Sequence, residues 1–298
     1  MAELVRPEAL PPGTAQRSRR FAALHAIARD RVGLAGSVLV ALALGAALLG
    51  PVLAPQDPTQ INPAERLAPP GGQFLLGADE LGRDLFSRAL YGARISVQVG
   101  LVVVVLAGLI GVTIGLLAGY FRGLLDGILM RIMDTLFAFP TLLLALAVVA
   151  VLGTDLINLI MALTIVYVPA FARIARGSTL SVSEEPYVEA ARSVGASNAR
   201  IIVRHILPNI TAPITVQFTV SLAYAILVEA SLSYLGLGVQ PPDASWGSML
   251  ATGKPYLEIS PWVSIVPGVS IMLTVLGFNL LGDALRDAMD PRLRSREL

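Results

Sequence analysis

The sequence predicts an all-α membrane protein with six transmembrane helices and both termini in the cytoplasm, and three observations carry that expectation. Of its 298 residues, 55% are hydrophobic and 14% charged, with a mean hydropathy of +0.71, whereas soluble domains carry about 25% charged residues. The apolar residues fall in long runs without the short alternation that marks strands. Lys and Arg collect in alternate connecting segments, the asymmetry that orients membrane helices.

A membrane helix needs about 20 predominantly apolar residues, and six stretches qualify: 33–54, 95–119, 132–152, 157–175, 210–237 and 262–284. The fourth is the shortest and weakest; without it the two termini would lie on opposite sides. The first begins too late and runs too long for a signal peptide's apolar region, so it is expected to remain as an anchor. With the N-terminus inside, the inner segments hold six basic residues in the tail, two in 120–131, five in 173–209 and four in 286–298. The outer segments hold four in 55–94 and one in 239–261. The chain thus divides into a cytoplasmic tail (1–31), a first span with an external segment (32–94), a core membrane domain (95–288) containing a cytoplasmic loop at 181–208, and a C-terminal tail (289–298). Within the first tail, Phe21, Leu24, His25 and Ala28 share one helical face that suits the membrane surface.

Composition excludes several classes of function. A net charge of +1 offers no clustered basic face for nucleic acid, and the absence of cysteine removes disulfides, thiolate metal sites and Cys nucleophiles.

The longest inner connection, 173–209, is patterned like a helix, a tight turn and a second helix. Ser181 and Glu184 fit a capping box, Pro186 suits a first helical turn, and Gly195 suits a helix C-terminus. Ser197 is placed to cap the second helix, Ile201, Ile202 and Ile206 form its apolar stripe, and Pro208 marks its end or a kink.

Glu189-Ala190-Ala191, Gly195 and Leu207-Pro208 match the EAA loop of bacterial ABC import permeases in residue and spacing, with His205 where that pattern has Ile. The resemblance continues through Leu76 to Arg94, Leu235-Gly236-Leu237-Gly238, Pro241-Pro242 with Ser245-Trp246-Gly247, and Gly282 to Ala288, which look like the C-type permease of dipeptide and oligopeptide importers. It implies a type I importer fold in the bacterial inner membrane and a chain that translocates short peptides by alternating access. Sister importers of nickel chelates or glutathione share this permease type. The implied partners are a B-type permease, two ATP-binding subunits that hold ATP and Mg, an extracytoplasmic solute-binding protein and membrane lipid. In this reading Glu189, Ala190, Ala191, Arg192, Gly195, Leu207 and Pro208 form the ATPase-coupling loop, with the small residues allowing close approach and Glu189 and Arg192 offering polar contacts. Trp246 is a candidate contact for the binding protein, or an interfacial aromatic anchor.

No catalytic or cofactor-binding residue is expected in the chain. A phosphate-cradling G-x-x-x-x-G-K-[ST] loop is missing, and the single lysine, Lys254, precedes a proline in an outer segment. Neither H-E-x-x-H nor G-x-S-x-G occurs, and His25 and His205 lie on separate segments. Polar groups inside spans are functional suspects by default. Asp134 has Arg131 one turn before it. Glu229 has no local cation, and with Asn279 it either lines the translocation path or makes a structural hydrogen bond between helices. An ion-coupled carrier is the rival class, for which repeats and several buried acids would be expected.

Overall fold

The computed structural model describes residues 30–289, which are predominantly helical; the surface helix expected at Phe21 to Arg31 falls almost wholly outside them. The helices are α1 (Arg31–Leu53), α2 (Leu85–Phe121), α3 (Gly123–Phe137), α4 (Thr141–Leu152), α5 (Leu156–Ser183), α6 (Pro186–Ser193), α7 (Asn198–Ile201), α8 (Thr211–Tyr234), α9 (Trp246–Gly253) and α10 (Trp262–Met289). Five are long and apolar enough to cross a membrane, and the bent pair α3–α4, counted as one broken span, brings the number to six.

The expected spans hold, with two corrections. The stretch 132–152 is no straight helix. It starts at Gly123 and turns by 92° between α3 and α4, because Pro140 pushes Phe139 away from helical backbone and then opens α4. The 12 residues of α4 cover about 18 Å, short of a hydrocarbon core of about 30 Å. The fourth span, expected to be the weakest, is instead a 28-residue helix, and half of its most apolar window is buried inside the chain. Its hydropathy is diluted because it faces protein, carrying buried Thr164, Tyr167 and Thr179.

At the centre stands α2, whose 37 residues extend about 56 Å. It begins ten residues before the expected span, since Asp84 caps it by accepting from the Ser87 backbone N–H at 2.8 Å. Its main partner is α5, approached through Gly111, Gly115 and Gly119. A methyl group at Gly111 would sit 2.6 Å from the Val168 carbonyl, and one at Gly119 would sit 2.8 Å from Thr179. Hydrocarbon supplies no hydrophobic drive between helices, so small residues that let backbones touch hold such a pair together. Helix α1 packs on α2 and α10, and α8 packs on α2, α10, α9 and α5.

The charged segment leading into α2 is a buried knot. Asp79 accepts from Arg83 at 2.6 Å and lies 3.2 Å from Arg88. Arg88 also donates to the Pro58 carbonyl at 3.0 Å. Leu85 and Ala89, in the first turns of α2, sit in the core. The charges enter the fold because each is paired and hydrogen-bonded.

Candidate functional site

The cytoplasmic loop folds as a short helix, a turn and a second helix. Pro186 opens α6 where its missing N–H costs nothing. The helix closes in a Schellman turn, with Gly195 at φ 78°, its N–H on the Arg192 carbonyl at 3.0 Å and the Ala196 N–H on the Ala191 carbonyl at 3.1 Å. Ser197 caps the second helix by accepting from the Arg200 N–H at 3.4 Å. The expected capping box at Ser181 and Glu184 is not formed. Ser181 lies in the last turn of α5, which runs to Ser183, and Glu185 takes the cap position of α6 without a side-chain bond. The apolar, protein-packed face of α5 carries that helix about two turns beyond the point where hydropathy falls.

Beyond α7 the backbone widens into a π turn at Ile202–Ile206 and tightens into a 3-10 turn at Leu207–Asn209, so Pro208 marks a kink. His205, in the Ile position, is half-buried beside the Tyr187 ring at 6.5 Å.

The loop has two faces. Underneath, Val188, Ile201, Ile206 and Ile210 are fully buried with Leu116 and Ala175, which roots the loop on α2 and α5. Outward, Glu189, Ala190, Arg192, Ser193 and Gly195 are exposed, and Val194 is 85% exposed at the helix end. Ala191, Leu207 and Pro208 are half-buried between the faces. Tyr120 ties the two short helices to α2: its hydroxyl donates to Asn198 at 2.8 Å and its ring lies 5.8 Å beneath the Arg192 guanidinium. Burial, with the Glu185 charge second, pushes the Tyr187 phenol above its usual range, so the loop's charge rests with its acids and arginines.

Three ion pairs fasten this side of the bundle, and sequence reasoning missed all of them. Arg122 meets Glu184 at 3.1 Å, Arg176 grips Asp126 with two nitrogens, and Arg173 meets Asp134 at 2.6 Å. Asp134 therefore pairs across to α5, and the expected Arg131 partner is not used. A signal existed in the register: Asp126 and Asp134 ascend α3 as Arg176 and Arg173 ascend the antiparallel α5.

The other expected site residues do not join the loop. Glu229 is completely buried, so it lines no open path. Its Oε1 accepts from the Ser233 hydroxyl at 2.7 Å, and Ser233 in turn accepts from the Val239 N–H at 3.2 Å. Ser96 and Ser245 flank the same carboxyl. Trp246 is turned inward, 3% exposed, with its indole N–H on the Ala89 carbonyl at 3.0 Å and its backbone N–H on Ser96 at 3.3 Å. It is thus neither a surface contact nor an interfacial anchor but the plug that seats α9 between α2 and α8. Asn279 is half-buried on α10, next to buried Phe278.

Comparison with known proteins agrees with this geometry. Residues 111–295 match the family of binding-protein-dependent transport system inner membrane components, and residues 22–70 match the N-terminal membrane domain of oligopeptide transport permease C. The dipeptide transport system permease DppC of Alkalihalophilus pseudofirmus is 43% identical, covering 92% of this chain and 90% of that protein. The di/tripeptide permease DppC of Pseudomonas aeruginosa is 45% identical over 91% of each. The glutathione transport system permease GsiD of Shigella flexneri is 47% identical over 89% of this chain and 88% of that one. Among solved structures, a permease chain of the MetNI methionine ABC transporter in inward-facing form matches with a TM-score of 0.53 at 20% identity, covering 67% of this chain and 95% of that one; it shares the fold.

Proposed function

Since the chain belongs to the family of binding-protein-dependent inner membrane components of ABC transporters, we propose that it is one of two permease subunits in an ATP-driven importer of short peptides. A B-type permease supplies the other half of the channel. Two ATP-binding subunits supply the energy, and an extracytoplasmic binding protein delivers the substrate. The relatives named for dipeptides and di/tripeptides support peptides as cargo, and the glutathione relative supports a second reading in which the cargo is a modified tripeptide.

The observation that carries the mechanism is the two-faced loop. Its outer face offers Glu189, Ala190, Arg192 and Val194 to a partner, while its underside is locked to α2 and α5 by Val188, Ile201 and Ile206. A push on α6 reaches those helices because close-packed interiors transmit displacement. ATP and Mg are handled by the partner subunits, since the chain has no phosphate-cradling loop of its own. Closure of the ATPase pair around ATP then tilts α2 and α5 through the loop, switching the substrate path from outward to inward access.

The test is uptake by the complete complex in proteoliposomes, loaded with ATP or given a proton gradient alone. ATP-dependent accumulation of labelled di- or tripeptide is expected. Accumulation by this chain alone under a proton gradient would identify an ion-coupled carrier instead. Competition with peptides of two to six residues, glutathione and nickel chelates then separates the two cargo readings.

A further inference from the structure

One face of α8 is unsuited to lipid. Gln217, Tyr224 and Ser231 recur at seven-residue spacing, two helical turns apart, so they align in one stripe about 21 Å long. Tyr224 lies at mid-helix, is 56% exposed, and makes no hydrogen bond among the described residues. Aromatic anchors belong at the membrane surfaces, so a free phenol at mid-span needs water or a polar partner. Gln217 gives one amide hydrogen to Ser221 at 2.9 Å, and its remaining amide hydrogen and its carbonyl oxygen have no partner among the described residues. Glu229 lies five residues beyond Tyr224, about 140° around the helix, and is buried.

The bend between α3 and α4 opens a cavity of about 450 Å³, lined by Phe137, Phe139 and Pro140 and by Tyr167 and Ala170 of α5, a helix that packs against α8. Tyr167 has a buried hydroxyl with no hydrogen-bond partner among the described residues. The most extensive seam in the chain, between α2 and α5, is made differently: it uses glycines that bring backbones into contact, as Gly111 and Gly119 do. A stripe of Gln and Tyr side chains is too bulky for such a seam.

We propose that the Gln217–Tyr224–Ser231 face of α8, with the aromatic cavity at the α3–α4 bend, is this chain's share of the translocation path. Its occupant is a peptide in transit, met by neutral hydrogen-bonding groups and aromatic faces. This deepens the proposed function and rests on it for the identity of the cargo. No acid or base belongs to the stripe or to α4. A neutral lining holds peptides weakly whatever their side-chain charge, and a path must release what it admits.

The chain lacks cysteine, which makes single substitutions clean reporters. Gln217→Cys, Tyr224→Cys and Ser231→Cys are each assembled with cysteine-free partner subunits. The same is done for Leu42→Cys on α1, an apolar position that is 65% exposed within the purely apolar run Val38–Leu44. Each complex is treated with a membrane-impermeant cationic thiosulfonate. Because the thiolate is the reactive form and hydrocarbon suppresses it, the stripe positions should react at least about ten-fold faster than Leu42→Cys, at rates that change when the ATPases are trapped with vanadate. Three positions guard against one variant that fails to assemble. Stripe cysteines as inert as Leu42→Cys in every nucleotide state, in complexes that still transport, would overturn the proposal. Protection by added tripeptide is read separately: reactive, nucleotide-sensitive positions without protection would keep the path and remove peptides as the cargo.

Discussion

The outer knot at 54–95 and the cytoplasmic loop at 184–210 are both polar connections between spans, yet they place their charges in opposite ways. In the knot, Asp79, Arg83 and Arg88 are buried and satisfied within the chain. In the loop, Glu189 and Arg192 make no ion pair among the described residues and point outward above a thin apolar base. The difference teaches that charge density marks a partner surface only where the chain leaves the charges unpaired. A paired cluster is architecture.

This contrast breaks most visibly in the knot. Arg88→Ala leaves Asp79 buried with part of its compensation gone, and we expect a loss of about 3–5 kcal/mol, read as a collapse in the yield of assembled complex and in its thermal midpoint. Trp246→Ala should cost a similar amount, about 3–5 kcal/mol, because it empties the seat between α2 and α8; normal stability would return Trp246 to a surface role. Gly195→Ala is expected to cost about 1–2 kcal/mol, since its φ of 78° is strained for any residue with a Cβ, and to lower coupling of ATP hydrolysis to uptake by distorting the end of α6. Arg173→Ala removes a pair whose side chains are 47% and 52% exposed, so stability should change by at most about 1 kcal/mol. Smallest in stability is Arg192→Ala, within about 0.5 kcal/mol, although uptake should fall several-fold. Transport loss without stability loss is the signature expected of the loop and of no residue in the knot.

Much of this was legible in the sequence, for identifiable reasons. Span positions follow from runs without charge, and the loop's turn follows from Gly195 and Ser197, whose roles are local. What escaped detection was set by tertiary contact. Asp134 looked satisfied by Arg131 one turn away, but α5 brings Arg173 to 2.6 Å. Trp246, in an outer segment, was a candidate for a binding-protein contact or an interfacial anchor, yet Gly92 and Gly247 open a seat for it against α2 and α8. Glu229 attracted attention as a lone acid, yet Ser233 one turn along α8 donates to it and Ser96 and Ser245, from two other segments, flank it. The neutral stripe at Gln217, Tyr224 and Ser231 was overlooked because a search for charges passes over it.

The central claim is that the exposed face of α6 carries the ATPase contact. Its most direct measurement is the amount of ATP-binding subunit that co-purifies with the two permeases when Val194, 85% exposed, is changed to Asp. The account expects the permease pair to remain intact with an unchanged thermal midpoint while the ATP-binding subunits are lost and uptake stops. Full retention of those subunits with uptake at the unmodified rate would contradict it.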